Sequence, residues 1–231
     1  MPAIPKIIHQ IWLGSASMHP LMASWHQKWL DLNQGWTVTL WSDVPGTNDP
    51  CQIHCSQFGL MRLAPPLSPL MVKACHLSQR SNIWRYRLVQ QFGGVYIDTD
   101  VEPFKPIDSL VANHTTFAAH RKANYTRFEC AFFGAVPNHP WADDLVRGLV
   151  GRDPAVTLSM GTEYFTLTTF RHPEVVKLAK EHIWSEPPEN WPEAKREAKV
   201  PDANENVIPE AYAKHHWSSA WYPEGFKPIN A

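Results

Sequence analysis

The junction at Gly93-Gly94 restricts the fold more than any other stretch of the sequence. Upstream of it, Ala74, Leu77, Ser81, Trp84 and Leu88 recur every three or four residues, which predicts one face of a helix over about Ser68 to Phe92. Ser68 suits the cap, Pro69 suits the first turn, and the glycine pair ends the helix. Downstream, Val95-Tyr96-Ile97 reads as a short buried strand that finishes on Asp98-Thr99-Asp100. A helix feeding through two glycines into a buried strand is an α/β connection, so the strand belongs to a sheet with helices on its faces.

The flanking pattern agrees. Lys6 to Trp12 reads as a buried opening strand, and Leu21, Trp25, Trp29 and Leu32 follow at helical spacing up to Gly35. Trp36 to Trp41 is rich in β-branched and aromatic residues, a second strand. Strand, helix, strand predicts an α/β fold with a parallel sheet. Residues 44–69 are broken by prolines and read as loops with short helical pieces. Thr116 to Ala119 and Ala131 to Val136 are further strands, and Trp141 to Leu149 and Pro173 to His182 are predicted helical. The whole of 1–231 is taken as one domain, with an exposed proline-rich connection at about 185–210 and an aromatic, His-rich tail at 212–222.

Composition narrows the function classes. With 21 basic against 22 acidic residues, no long-range positive field exists to favour general nucleic-acid binding. No apolar run reaches the ~18 residues of a membrane span, and the first residues carry no secretory pattern. Four cysteines form no disulfide framework, which fits a reducing compartment. Eleven tryptophans suit stacking on bases or sugars as well as core filling.

Strand alternation puts Val95 and Ile97 on one face and Tyr96, Asp98 and Asp100 on the other. The two acids converge at the carboxyl end of a strand, where open α/β sheets bind ligands. Close carboxylates repel, and Mg²⁺ or Mn²⁺ would relieve this while also holding phosphate oxygens. The plainer alternative is a pair of solvated acids at a turn. Asn82 and Arg85 share a helix face that could border the same pocket. Arg85 would suit a diphosphate or relieve carboxylate repulsion; an ordinary surface arginine is the alternative.

Four segments in order, Ile4–Gly14 (IPKIIHQIWLG), Ser81–Tyr86 (SNIWRY), Gly93–Asp100 (GGVYIDTD) and His215–Trp221 (HHWSSAW), resemble the DXD-motif glycosyltransferases. That family includes yeast initiating α-1,6-mannosyltransferases and bacterial capsular and lipopolysaccharide sugar transferases. It is more distantly similar to the clostridial glucosylating toxins. The resemblance implies a GT-A-like, Rossmann-type, mostly parallel sheet flanked by helices. It also implies a UDP- or GDP-sugar donor, Mn²⁺ or Mg²⁺, and transfer to an acceptor hydroxyl with retention of configuration.

Carried over, Trp12 matches the base-stacking aromatic and Arg85 the donor-contacting arginine. Asp98 matches the acid nearer the donor sugar, reaching metal through water, and Asp100 the direct metal ligand. His216 matches a further ligand, Ser219 a donor contact, and Trp221 the residue that closes on the phosphates. Tyr96 joins the donor-site set with Asp98, Asp100 and Arg85 as the catalytic group. Asn82 stands where the family usually has Asp, so hydrogen bonding is kept and the charge is lost. Gly161 to Thr166 only loosely matches the stretch that borders the donor pocket in relatives. The family's usual bacterial acceptor is a saccharide on a lipid carrier, with a protein, a small glycoside or a modified nucleobase as alternatives, and the reducing compartment leads us to expect a cytoplasmic protein, peripheral at most to the inner membrane surface.

Two other classes compete. A haloacid-dehalogenase-like phosphatase also uses Asp-x-Asp after a buried strand, with Asp98 as nucleophile and Asp100 as general acid around Mg²⁺. That motif normally opens its fold, and the reading leaves Trp12 and the tail unused. A carbohydrate-binding protein would explain the tryptophans but has no use for Asp98, Asp100 and Arg85. Weaker candidates are a zinc site at Cys51, His54 and Cys55, a basic stretch from His120 to Arg127, and acceptor-site acids Glu129, Asp143 and Asp144.

Overall fold

A seven-stranded sheet is laid out around the segment that opens the chain. The structure, a computed structural model, describes residues 2–14, 17–42, 52–54, 77–120, 127–152, 160–179, 181–185 and 210–217. Strand β1 (Ile7–Trp12) pairs in parallel with β2 (Thr37–Ser42) and with β4 (Gly94–Ile97), and β3 (Gln52–His54) extends β2 in parallel. On the other side, β7 (Phe128–Ala135) runs antiparallel to β4, β6 (Thr116–His120) antiparallel to β7, and β8 (Val176–Lys177) parallel to β6. The order is β3-β2-β1-β4-β7-β6-β8. The expected α/β architecture with a mostly parallel sheet is borne out.

Helix α1 (Pro20–Leu32) crosses between β1 and β2. Pro20 occupies the first turn, the His19 ring accepts from the Leu21 amide, and Met22, Trp25, His26 and Trp29 form its buried face. Helix α2 (Leu77–Phe92) is buried on nearly every side; the predicted residues 68–76 lie outside the described residues. Short α3 (Asp108–Val111), α4 (Pro140–Arg147) and α5 (Thr162–Thr169) complete the helices described. Core side chains split across the sheet. Tyr96 and Phe133 pack with Tyr86, Trp141 and Phe165 of α2, α4 and α5, whereas Val95 and Ile97 pack with Trp29, Phe117 and Phe132.

The glycine pair is required by space as well as by conformation. Gly93 and Gly94 have φ of 65° and 91°. A Cβ on Gly93 would lie 2.6 Å from Pro137 Cδ, and one on Gly94 would lie 2.5 Å from the Ile7 carbonyl oxygen. The turn therefore lies directly against β1 and the end of β7, which fixes where β4 starts.

A second sheet of order β5-β10-β9 is formed by β5 (Val101–Pro103), β10 (Ala213–His215) and β9 (Ile183–Ser185). β10 is antiparallel to β5 and parallel to β9. Two expectations are corrected. Pro173 to His182 is not helical: after a turn, Val176 and Lys177 add an edge to β6, with Val175 and Leu178 buried. Conversely, Thr162–Thr169 is a helix that no periodic signal announced, because its threonines and aromatics favour strands in isolation. Most of the proline-rich connection, 186–209, lies outside the described residues.

Candidate metal and donor site

The site begins where β4 ends. The Asp98 amide donates to the Ala131 carbonyl (2.9 Å), and the Val101 amide donates to the Asp98 carbonyl (3.1 Å). This closes a tight turn over 98–101 between β4 and β5. Both acids of Asp98-Thr99-Asp100 are thus held by backbone hydrogen bonds, and both are buried. Beneath the turn, Gln10 donates to the Asp98 carbonyl (3.5 Å) and accepts from His26 Nδ1 (2.6 Å), tying it to β1 and α1.

Asp98 is the more constrained acid. Tyr96 Oη donates to its Oδ1 (2.6 Å), and Arg85 reaches Oδ1 through Nη2 (3.1 Å) and Oδ2 through Nη1 (3.4 Å). Arg85 also donates to the Cys130 carbonyl (2.9 Å) and the Ser81 hydroxyl (3.1 Å), and its guanidinium lies 4.7 Å from the Tyr96 ring centre. Burial opposes a charge on Arg85, but Asp98, Tyr96, Cys130 and Tyr86 together outweigh it and hold the guanidinium protonated. Burial pushes the Asp98 carboxyl above its ordinary value; Arg85 pulls it back, and Asp100 adds to the rise. Arg85 sits within the protein as the brace of Asp98, at 3% exposure, rather than at a surface facing ligand. This also weighs against the phosphatase reading, since a nucleophilic Asp98 would need an oxygen that Tyr96 and Arg85 do not already hold.

The second acid faces the tail. His215 Nε2 lies 3.4 Å from Asp100 Oδ1, and the His216 amide donates to the Asp100 carbonyl (3.0 Å). Burial works against a charge on His215, but Asp100 raises its pKa above the ordinary imidazole value, with Glu129 and Asp98 contributing. Asp98, Asp100 and His215 each offer one ligand atom, all within 4.8 Å of one another. Two carboxylates and an imidazole suit Mg²⁺ or Mn²⁺. The upward shift of His215 reports the carboxylates gathered around it, and the donor set of two carboxylates and one imidazole fits a divalent cation.

The tail meets the acids one residue away from the position expected. His216, expected as the ligand, hydrogen-bonds Glu102 (3.1 Å) and stacks on Trp25 with ring centres 4.5 Å apart. The adjacent His215 takes the place beside the aspartates. Trp12 is buried with Met22, Trp25 and Leu40 at the end of β1. Asn82 lies against Gly161, the residue before α5; a Cβ there would stand 3.5 Å from Asn82 Nδ2. Ser219 and Trp221 lie outside the described residues, as do Cys51, Cys55 and residues 121–126. Asp143 bonds Gln90, and Asp144 bonds Arg147 and His172, away from the acidic turn. Glu129 is buried on β7 near His215. Ser81, Gln10, Trp25 and Glu102 escaped sequence reasoning; only the doubled His215-His216 signalled that the tail could present either ring.

Among the described residues, no helix is long and apolar enough to cross a membrane. Residues 22–117 match the family described as the glycosyltransferase sugar-binding region containing the DXD motif. Over 167 residues, the chain is 28% identical to an uncharacterized glycosyltransferase, L373, of Acanthamoeba polyphaga mimivirus, covering 70% of this chain and 63% of that protein. It is 26% identical over 148 residues to inositol phosphoceramide mannosyltransferase 2 of Schizosaccharomyces pombe, covering 64% of this chain and 39% of that one. The chain thus spans about two-fifths to three-fifths of the length of these relatives. Its fold is shared with a solved structure titled PaToxG glycosyltransferase, with a TM-score of 0.61, 17% identity, and coverage of 73% of this chain and 69% of that one. The acidic turn that organises the site lies inside the region, residues 22–117, that is similar to the DXD-motif glycosyltransferase family.

Proposed function

We propose that this chain transfers a sugar from a nucleotide-sugar donor, UDP- or GDP-linked, to an acceptor hydroxyl, with retention of configuration. The observation that carries the reading is the convergence of Asp98, Asp100 and His215 at the carboxyl end of β4. Asp100 and His215 would hold Mn²⁺ or Mg²⁺ directly and Asp98 through water, because Tyr96 and Arg85 already occupy the Asp98 oxygens. Such an ion supplies Lewis-acid stabilisation of the charge that grows on a departing diphosphate.

The chain's own residues do the rest. Arg85 and Tyr96 keep the Asp98 carboxylate oriented towards the donor sugar. Asn82 offers hydrogen bonds beside Gly161 on the same flank. Trp12 is assigned to the donor base, and Ser219 and Trp221 to covering the phosphates and excluding water. The mannosyltransferase names among the relatives make mannose the first sugar to test, and inositol phosphoceramide an acceptor to test beside lipid-linked saccharides.

The test is a donor screen. Purified protein would be incubated with Mn²⁺ and a panel of UDP- and GDP-sugars, following donor cleavage, acceptor modification and product anomer by NMR. Metal-stimulated cleavage of one donor is the expected result. Release of inorganic phosphate from phosphate esters, with no sugar-nucleotide cleaved, would sink the reading in favour of a phosphatase.

A further inference from the structure

Resting on that metal reading, we infer that Glu102 is a positioning residue: it grips His216 and thereby sets the register in which the neighbouring His215 is presented to Asp100. The β10–β5 ladder has only three residue pairs, with His215 opposite Val101, Lys214 opposite Glu102 and Ala213 opposite Pro103. The ladder to β9 is equally short, with Ala213 opposite Ile183, Lys214 opposite Trp184 and His215 opposite Ser185, so backbone pairing engages only three residues of β10 on either edge. The doubled histidine makes the register matter, because a slip of one residue would bring His216 to the place of His215.

Three contacts discriminate between the two rings. His216 Nε2 lies 3.1 Å from Glu102 Oε2. The His216 ring stacks on Trp25 at an interplanar angle of 12°. Lys28 holds the other Glu102 oxygen at 3.4 Å. Trp25 and Lys28 lie three residues apart on α1 and so share a face. On that face Trp29 Nε1 also donates to the Val101 carbonyl (3.0 Å), which locks α1 onto the start of β5. The helix, the strand after the acidic turn and the tail therefore meet at one joint, and Glu102 is its centre. Glu102 is outside the group of Asp98, Asp100 and His215, so it acts through His215.

The experiment measures uptake of Mn²⁺ alone by EPR, in the wild-type chain, Glu102→Ala, Glu102→Gln, His215→Ala and the Glu102→Ala/His215→Ala double variant. Partners behind metal ligands are typically worth about 10–100-fold in affinity. Glu102→Ala should fall in that range, with melting in EDTA shifted by only a few degrees. Glu102→Gln, whose carbonyl still accepts from His216, should stay within about threefold of wild type. The double variant should bind no more weakly than His215→Ala, because the two losses are one loss. Unchanged affinity in Glu102→Ala, or losses that add, would overturn the inference. Should Glu102→Ala fail to fold, Trp25→Leu loosens the same joint from the helix side and is expected to weaken Mn²⁺ uptake in the same direction. A wild-type chain that takes up no Mn²⁺ would instead defeat the metal reading. Amide exchange at 213–216 in the metal-free chain then decides the joint by itself: faster exchange in Glu102→Ala upholds it, and unchanged exchange overturns it.

Discussion

The two sides of the acidic turn are built in opposite ways. Asp98 is held by near neighbours in the chain: Tyr96 is two residues away and Arg85 thirteen. Asp100 and Glu102 are met by His215 and His216, the second contact spanning 114 residues. The near side is a closed network of buried donors and acceptors in which each member has a fixed partner. The far side is a three-residue strand paired to β5 on one edge and β9 on the other, and joined to α1 by one carboxylate and one stacked ring. A buried network of the first kind holds its geometry without ligand; a short ladder of the second kind gains most from whatever bridges it.

The comparison is broken most directly by removing the brace. Arg85→Leu leaves the Asp98 carboxylate buried and unpaired, a loss of about 3–5 kcal/mol. Chemical denaturation of the metal-free protein should show a drop of that size, and a loss under about 1 kcal/mol would mean that the near side is not a closed network. Asp100→Ala should act on chemistry instead. Donor turnover falls by roughly 10²–10³, the scale of losing one positioned stabiliser of charge, while metal-free stability changes little. Near-normal turnover of Asp100→Ala in EDTA would remove the metal from the mechanism.

The third test concerns pH on the near side. His9 Nε2 donates to the Gly93 carbonyl (2.9 Å), and its Nδ1 accepts from Trp41 Nε1 (3.1 Å), so the folded ring is neutral. Burial lowers its pKa to about 4, against the hydrogen bond to Gly93, which raises it. The unfolded chain therefore binds a proton near pH 6.5 that the folded chain refuses until about pH 4. The His9 contribution is complete above pH 6.5 and is lost as pH falls towards 4, up to roughly 3 kcal/mol in all. Unfolding free energy measured from pH 7 to 4 should fall less steeply in His9→Gln; an identical slope would mean that His9 does not hold the turn in this way. The smallest effect belongs to Trp12→Leu, which keeps apolar packing and removes the stacking ring. Nucleotide affinity should weaken by ~10-fold, towards the low end of the 1–3 kcal/mol typical of base–aromatic stacking. Unchanged affinity with a lower melting temperature would make Trp12 a core residue.

What could be read in the sequence follows the same division. The Gly93-Gly94 junction, the buried strand after it and the paired acids are local features whose spacing carries their geometry, and β1, α1 and β2 were legible for the same reason. The choice between His215 and His216 was not. Adjacent strand residues point to opposite faces, and which ring meets Asp100 depends on a register set against β5 and α1 far away in the chain. Residues 173–182 misled for a related reason. Val175, Val176 and Leu178 fit a helical period, but the open edge of β6 recruits Val176 and Lys177 into the sheet. Helix α5 shows the reverse, strand-favouring residues made helical by packing against β7, where Thr166 Oγ1 accepts from the Phe128 amide.

The long reach of the tail also has a meaning in time. Ribosomes add roughly 5–20 residues per second, so the 114 residues between Glu102 and His216 separate the two halves of the site by on the order of ten seconds of synthesis. Once Cys130 and Ala131 have been made, every partner of Arg85 and Asp98 named above exists, with the histidines still unmade. A partner arginine only thirteen residues upstream lets the acidic turn mature early, before the residues that complete it exist.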